Sequence, residues 1–189
     1  MRIGEPTHFI RLTGCNLHCE FCDTQYSWES GQELPTAQIV EEIIDKNRSF
    51  PAEWVCFTGG EPLIQELDPL VNSLQNEGFK TQIETNGHFF QSISVDWYTL
   101  SPKPDRFFFH PEYQINAKEV KLVVTRDLSL TVIKDLRKLF PKKTPFFLQP
   151  QSMQEWSLDL AFSLLQDSVR DGLKNLRLGT QLHKIYNIS

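Results

Sequence analysis

The sequence lacks a long apolar run, an excess of basic residues and any internal repeat. No stretch approaches the roughly 18 consecutive apolar residues of a membrane-spanning helix, so no membrane partner is expected. The formal net charge is −5, from 19 Lys and Arg against 24 Asp and Glu, which disfavours tight non-specific binding to nucleic acid. The first residues, Met1 to Pro6, lack the apolar region of a secretory signal, which favours a cytoplasmic location.

The chain is also short, and its composition contains no break. It has 189 residues, of which 40% are hydrophobic and 23% charged, the balance of a globular protein with a sizeable core. No low-complexity tract or linker interrupts it, so a single domain over residues 1–189 is expected. A complete eight-unit βα barrel usually needs about 250 residues, so any barrel here must be incomplete.

Short apolar segments alternate with segments of helical periodicity. Strands are predicted at residues 8–12, 54–57, 80–84, 97–100, 120–124 and 145–148. Helices are predicted from a cap at Thr36, around Leu67–Leu74 with a stop at Gly78, at Leu130–Leu139 and at Trp156–Leu164. This alternation is typical of a parallel sheet with crossover helices, in which ligands bind at the carboxyl ends of the strands. The proline-rich residues 101–118 are predicted to form a long ordered loop.

Cysteine is scarce but clustered. Cys15, Cys19 and Cys22 follow the first predicted strand in a Cys-x3-Cys-x2-Cys spacing. In a reducing compartment such a cluster indicates metal or iron–sulfur ligands rather than disulfides. Three thiolates can hold three irons of a [4Fe–4S] cluster and leave the fourth iron open. A zinc site with His18 or Cys56 as fourth ligand is the alternative, disfavoured because zinc ligands usually come in close pairs.

A glycine pair follows the second predicted strand, in Thr58-Gly59-Gly60-Glu61-Pro62. Glycines allow the backbone to approach a ligand closely, and Glu61 can accept hydrogen bonds from an ammonium group. Alone, such a pair is most often a turn. In a βα chain, a glycine motif that follows a three-cysteine loop is a far more specific indication of a ligand site than either motif alone.

The two motifs together resemble those of the radical S-adenosylmethionine superfamily. That resemblance implies a [4Fe–4S] cluster whose open iron chelates the amino and carboxylate groups of S-adenosylmethionine. Further motifs resemble the family of 7-carboxy-7-deazaguanine synthases over residues 7–187. They are Phe9-Ile10-Arg11-Leu12, Cys22-Asp23-Thr24, Glu84-Thr85-Asn86-Gly87, Ser101-Pro102-Lys103, Gln149-Pro150-Gln151 and Gln181-Leu182-His183-Lys184.

The resemblance implies an α/β fold, an incomplete TIM-like barrel of about six parallel strands with a reduced helical layer. It implies conversion of 6-carboxy-5,6,7,8-tetrahydropterin to 7-carboxy-7-deazaguanine by radical ring contraction with loss of ammonia, in queuosine and 7-deazapurine biosynthesis. The cofactor-derived radical performs the hard step, so no side chain is expected to act as a conventional acid or base. Family members carry a Gly-Glu-Gly segment before the first cysteine strand, which Met1 to Pro6 does not contain, so pterin affinity is expected to differ.

The resemblance also assigns site residues. Cys15, Cys19 and Cys22 would hold the cluster, and Thr24 would bind Mg²⁺. Arg11 and Thr58 match substrate contacts. The positions matching cofactor contacts are Gly60, Glu61, Glu84, Ser101, Lys103, Gln149 and Gln151. An electron donor such as flavodoxin and a homodimer are the implied protein partners.

The cysteine motif is also compatible with two functions other than the synthase. A small radical activase of a glycyl radical enzyme shares the cysteine spacing and the short length, although the Cys22-Asp23-Thr24 and Ser101-Pro102-Lys103 motifs favour the synthase. A zinc-stabilised binding module is the non-enzymatic alternative.

Overall fold

The computed structural model describes residues 2–29, 31–104 and 106–186, an α/β arrangement of seven strands and six α-helices. The strands form one sheet in sequence order. They are β1 (Thr7–Leu12), β2 (Trp54–Gly59), β3 (Lys80–Thr85), β4 (Trp97–Leu100), β5 (Ala117–Val124), β6 (Phe146–Pro150) and β7 (Leu176–Leu178). The helices are α1 (Thr36–Ser49), α2 (Asp68–Asn76), α3 (Tyr113–Asn116), α4 (Leu130–Lys138), α5 (Glu155–Arg170) and α6 (Leu182–Tyr186).

The six predicted strands are confirmed, with small differences at their ends. The seventh strand, β7, was not predicted, because its three residues are only partly buried and carry no alternating apolar pattern. The helix prediction at Thr36 is correct in place but wrong in detail. Pro35 occupies the N-cap position, and Thr36 is the first residue of α1 rather than its cap. Gly78 follows α2 with a φ of +89°, as expected for a residue that ends a helix.

The chain divides into two compact units. The first contains residues 1–85 and 89–98, and the second contains residues 86–88 and 99–189. In the first unit β1, β2 and β3 pair in parallel, with Arg11 beside Thr58 and Phe9 beside Cys56. Side chains alternate between the two faces of β1, so Phe9 and Arg11 share one face while His8 and Ile10 share the other.

The helices of the first unit cover the His8 face. His8 packs edge-on against Phe50 and Phe79, and its Nε2 atom lies 3.0 Å from the Oδ1 atom of Asn47 in α1. The core on this side is fully buried and apolar; its residues include Val55, Phe57, Val71, Leu74 and Ile83. Phe9 and Arg11, on the opposite face of β1, are exposed.

In the second unit β5, β6 and β7 also pair in parallel. Helix α5 packs on β6 and β7, and α4 packs on α5. The fully buried residues of this core include Val120, Leu122, Val124, Ile133, Phe146, Leu148 and Ala161. Both units therefore have the parallel α/β construction that the alternating pattern predicted.

The helical layer is reduced, as expected. The connection from β3 to β4, which the structure describes throughout, contains no helix. Between β4 and β5, where residue 105 alone is not described, the described residues form only the four-residue helix α3. The predicted loop at 101–118 therefore ends in a short helix and the first residues of β5. Among the described residues, no helix has both the length and the apolar character needed to cross a membrane.

Candidate functional site

The three clustered cysteines lie on the loop that follows β1. Cys15, Cys19 and Cys22 form no disulfide bond and are partly exposed. The Cys22 amide donates to the carbonyl of Cys19 at 2.9 Å, which makes a tight turn between the second and third thiols. His18 adopts a left-handed φ of +47°, so the chain reverses direction within the loop. The loop thus presents three sulfur ligands within eight residues.

The three cysteines offer the soft sulfur donors that iron–sulfur clusters use. Among the described residues, no three His, Cys, Asp or Glu side chains are grouped so that they could hold one metal ion. A single zinc would need every sulfur at about 2.3 Å from one point, whereas an iron–sulfur cluster binds each thiolate through a different iron. The His18 ring packs edge-on against Trp28, and Cys56 is 1% exposed within β2. These positions do not support the zinc alternative.

Backbone hydrogen bonds tie the cysteine loop to the glycine motif. The amide of Gly14 donates to the carbonyl of Ser27 at 2.8 Å, and the amide of Glu61 donates to the carbonyl of Gly14, also at 2.8 Å. Ser27 is 1% exposed. Two motifs that are far apart in the sequence are therefore fixed to each other within the first unit.

Both glycines of the second motif are required by this close approach. A Cβ atom on Gly59 would lie 2.0 Å from the carbonyl oxygen of Leu12, and one on Gly60 would lie 1.9 Å from that of Gly14. Gly59 also has a φ of +125°. These contacts are with backbone atoms, which cannot move away as a flexible side chain can. The glycine pair therefore lets the end of β2 approach the cysteine loop.

Glu61 is almost completely buried, with 1% exposure. One oxygen of its carboxylate, Oε1, accepts hydrogen bonds from the amide of Leu63 at 3.1 Å and from the hydroxyl of Thr85 at 2.7 Å. It thus caps the short 3₁₀ turn at Pro62–Ile64. A carboxylate is chemically suited to accept hydrogen bonds from an ammonium group.

Thr24 lies against the third thiol of the loop. Its hydroxyl oxygen and its backbone nitrogen are each 3.4 Å from the Sγ atom of Cys22. Ser27 holds this residue in place, because the Ser27 hydroxyl and amide both donate to the Thr24 carbonyl, at 2.7 and 2.9 Å. A thiolate at Cys22 would accept both hydrogen bonds from Thr24.

Arg11 and Thr58 stand side by side on the first unit's open face. Their Cα atoms are partners in the β1–β2 register, and the Arg11 guanidinium lies 5.8 Å from the centre of the Tyr26 ring. At the amino end of the same face, Arg2 stacks at 3.2 Å over Trp54. Burial lowers the pKa of Arg2, although the Glu5 carboxylate opposes that shift and the guanidinium stays charged. Glu84 is partly exposed near the end of β3.

The remaining predicted residues belong to the second unit. Ser101 follows β4 and is 4% exposed, and Lys103 donates to its hydroxyl from Nζ at 2.8 Å. Gln149, near the end of β6, is 5% exposed, yet its Nε2 atom has no hydrogen-bond partner among the described residues. A buried donor without a partner requires an explanation, and a ligand that supplies an acceptor is one. The Gln151 amide donates to the hydroxyl of Ser157, and its own side chain is partly exposed.

Every predicted site residue thus lies at or after a strand or in the cysteine loop, and the structure pairs Arg11 with Thr58 and Ser101 with Lys103. Three further residues were not found from the sequence. Ser27 closes the cysteine loop through hydrogen bonds with Gly14 and Thr24, a Cβ atom on Gly179 would meet Gln149, and Thr180 has a buried hydroxyl with no partner among the residues described. Gly179 and Thr180 follow β7, so recognising that strand would have drawn attention to them.

Comparison with known proteins identifies the family of this chain. The family model of the Radical SAM superfamily matches residues 9–107, just over half of the chain. The 7-carboxy-7-deazaguanine synthase of Synechocystis is 32% identical over 98% of this chain and 85% of the relative. The enzyme of the same name from Bacteroides thetaiotaomicron is 36% identical over 98% of this chain and 89% of the relative.

Solved structures agree with the fold. The crystal structure of QueE from Escherichia coli has a TM-score of 0.73 at 29% identity, covering 94% of this chain and 86% of the other. Streptococcus suis SuiB bound to S-adenosylmethionine has a TM-score of 0.60 at 20% identity, covering 93% of this chain and 46% of the other, and supports the fold alone. The predicted fold class, a partial TIM-like barrel, is confirmed. The sequence matches, the structural match and the three-thiol loop show that this chain belongs to the radical SAM superfamily and, within it, to the family of 7-carboxy-7-deazaguanine synthases.

Proposed function

We propose that this chain is a lyase that converts 6-carboxy-5,6,7,8-tetrahydropterin to 7-carboxy-7-deazaguanine with loss of ammonia, a step of queuosine and 7-deazapurine biosynthesis. The reaction is a rearrangement with elimination, so it has no net oxidation or reduction. The observation that carries the proposal is the loop of three cysteines outside any disulfide bond, which backbone hydrogen bonds join to the Thr58–Glu61 segment. Relatives with this activity in their name match nearly the whole chain, which supports the assignment.

Cys15, Cys19 and Cys22 are the proposed ligands of a [4Fe–4S] cluster, and their donor chemistry fits it. When bound, the cluster and S-adenosylmethionine together supply one-electron cleavage of a sulfonium and a carbon-centred radical that removes a hydrogen atom from the substrate. The protein's part is to bind, orient and exclude water. The unpaired and buried Nε2 atom of Gln149 supports a ligand in the second unit as well.

Each compact unit contains residues that are proposed cofactor contacts. In the first, Gly60 has no side chain to block access to its backbone, and Glu61 and Glu84 offer carboxylates for an ammonium group. In the second, the Ser101–Lys103 pair, Gln149 and Gln151 offer polar atoms at strand ends. Positions at the carboxyl ends of parallel strands are where ligands of such sheets bind.

Arg11 is proposed to bind the carboxylate of the substrate. It is exposed on the face of β1 that the helices of its unit leave uncovered, and Thr58 lies beside it in register. A guanidinium can donate two parallel hydrogen bonds to one carboxylate, which fixes orientation as well as affinity. Thr58 would add a neutral hydroxyl contact.

Thr24 is proposed to bind Mg²⁺ as the second metal. A hydroxyl oxygen is a hard ligand, and Mg²⁺ commonly keeps most of its shell from waters and substrate oxygens. The contact of Thr24 with Cys22 leaves this possible, since a hydroxyl that donates its single proton still has lone pairs to offer.

We further propose that residues 1–189 act as a single domain in the cytoplasm, as a homodimer that receives electrons from a donor such as flavodoxin. The reducing compartment is favoured because free thiols and an iron–sulfur cluster are vulnerable to oxidation. The activase of a glycyl radical enzyme is the less favoured alternative. The relatives that match nearly the entire chain are named as synthases and not as activases.

The test is turnover by anaerobically reconstituted protein with S-adenosylmethionine, reductant, Mg²⁺ and the carboxytetrahydropterin. We expect a 7-deazapurine and ammonia in equal amounts, with about four irons and four sulfides per chain.

Replacement of Cys15, Cys19 or Cys22 by Ala should abolish turnover, because each is a proposed iron ligand. Cys56→Ala is the matched control, since Cys56 lies in β2 outside the loop, and it should keep iron and activity. A cluster-loaded protein that cleaves S-adenosylmethionine without a deazapurine product would contradict the proposal.

A further inference from the structure

The second unit contains a group of three residues, of which the motifs assigned only Gln149, while Gly179 and Thr180 were not assigned. It begins with Gln149, whose side-chain amide is buried while its nitrogen has no partner among the described residues. A buried donor without an acceptor destabilises the folded protein, since it has lost its hydrogen bonds to water. Its position near the carboxyl end of β6 is one where a ligand can supply the missing acceptor.

Gly179 gives the Gln149 amide the space that it occupies. The Gly179 amide donates to the carbonyl of Leu148 at 2.7 Å, which continues the β6–β7 pairing past Leu178. A Cβ atom on Gly179 would lie 2.9 Å from the Oε1 atom of Gln149 and 3.4 Å from its Cδ atom. The φ of Gly179 is not in the left-handed region, so its backbone would accept a side chain. Residue 179 is therefore restricted to glycine by the nearby side-chain amide of Gln149 and not by its own backbone conformation.

Thr180 adds a second unsatisfied group beside the first. Its hydroxyl oxygen is buried and has no hydrogen-bond partner in the described part of the chain. It follows Gly179 directly, at the end of the strand next to β6. An amide donor and a hydroxyl, neither of them charged, thus lie unpaired at the ends of two neighbouring strands.

We propose that Gly179 and Thr180 complete, with Gln149, a neutral subsite for the hydrogen-bonding edge of a fused heteroaromatic ring. A neutral amide and hydroxyl match the carbonyl and ring-nitrogen acceptors of a purine or pterin, whereas a charged group would require an opposite charge. Gly179 acts through Gln149 as a positioning residue, and Thr180 contacts the ring. The inference rests on the proposed function and deepens it, since the ring is either the adenine of S-adenosylmethionine or the pterin.

The test is a double-mutant cycle of Gly179→Ala and Gln149→Ala, read as ligand affinity. Binding of S-adenosylmethionine and of the carboxytetrahydropterin is measured separately by anaerobic calorimetry, on cluster-loaded protein without reductant, so that no turnover occurs. We expect Gly179→Ala and Thr180→Val each to weaken one of the two ligands at least tenfold. The melting temperature should stay unchanged in Gly179→Ala, because the atom displaced is the end of a flexible side chain. In the Gln149→Ala background, Gly179→Ala should have no further effect.

The ligand that weakens identifies the ring, and either identity supports the subsite. Affinities within twofold of the parent for both ligands in Gly179→Ala would overturn the proposal. So would an equal loss with and without Gln149, since Gly179 would then act independently of the amide. A parent protein that binds S-adenosylmethionine but not the pterin would instead contradict the proposed function. The affinities of the variants for S-adenosylmethionine would still test the subsite.

Discussion

At the residue scale, the contact of most consequence is between Thr24 and Cys22. A thiolate ligand that accepts hydrogen bonds carries less charge onto its iron, which stabilises the reduced cluster and raises its potential. Thr24 offers its amide and its hydroxyl to the same sulfur, each at 3.4 Å. Mutation can remove the Thr24 hydroxyl while the backbone amide remains. The contribution of the hydroxyl to the reduction potential can therefore be measured separately.

We predict that Thr24→Val makes the cluster harder to reduce. Valine has the shape of threonine but replaces the hydroxyl by a methyl group, so one of the two hydrogen bonds to Cys22 is lost. The midpoint potential should fall by up to about 60 mV, a tenfold change in the equilibrium of a one-electron couple. The measurement is a redox titration followed by electron paramagnetic resonance, with a chelator present to remove Mg²⁺.

Thr24→Ser is the matched control, because it keeps the hydroxyl and should keep the potential of the parent. Once Mg²⁺ is restored, Thr24→Val should also weaken the dependence of turnover on Mg²⁺ more than it weakens cleavage of S-adenosylmethionine. Equal potentials in the valine, serine and parent proteins would show that the hydroxyl does not influence the cluster.

The residues that sequence could identify are those whose chemistry is local. Three thiols within eight residues specify a ligand set without any knowledge of tertiary structure. Ser27 and Gly179 could not be found in this way. Ser27 matters because its carbonyl meets Gly14, and Gly179 matters because a side chain there would meet Gln149. Such roles arise only when distant segments are brought together.

At the element scale, one side chain joins α1 to the strands of its unit. The Oδ1 atom of Asn47 is 3.0 Å from Nε2 of the buried His8 and accepts the amide of Ala52 at 2.7 Å. Asparagine near the end of a helix is otherwise a poor helix former, so this position is explained by its contacts. The helical periodicity located α1, but the pattern could not reveal what fixes its carboxyl end.

We predict that Asn47→Ala lowers the free energy of unfolding by about 1–2 kcal/mol. The substitution leaves a buried imidazole nitrogen and a backbone amide without their acceptor, and the higher helix propensity of alanine offsets only part of that cost. Urea denaturation measures the change. Asn72→Ala on α2 is the matched control, because the Asn72 side chain donates an exposed hydrogen bond to Asp68, and the variant should stay within about 0.5 kcal/mol of the parent. Equal changes in both variants would contradict the role of Asn47.

At the scale of the whole molecule, composition predicts one domain, and the structure describes two compact units within the chain. The fold class followed from the sequence because alternation of apolar strands and amphipathic helices is a pattern of the entire chain. The division did not, since it depends on how densely distant segments contact one another. The chain passes between the units after residues 85, 88 and 98, and β4 has its first two residues in one unit and its last two in the other.

Because β4 belongs to both units, we predict that the protein unfolds in one cooperative transition. Loss of either unit would remove half of a four-residue strand from the other, so neither is expected to remain folded alone. Differential scanning calorimetry should give a ratio of calorimetric to van't Hoff enthalpy near one. Asn47→Ala sharpens the test, since its contacts lie entirely within the first unit. The whole transition should move to lower temperature in that variant. A curve in which only part of the heat absorption moves would mean that the two units unfold independently, and the chain would then contain two domains.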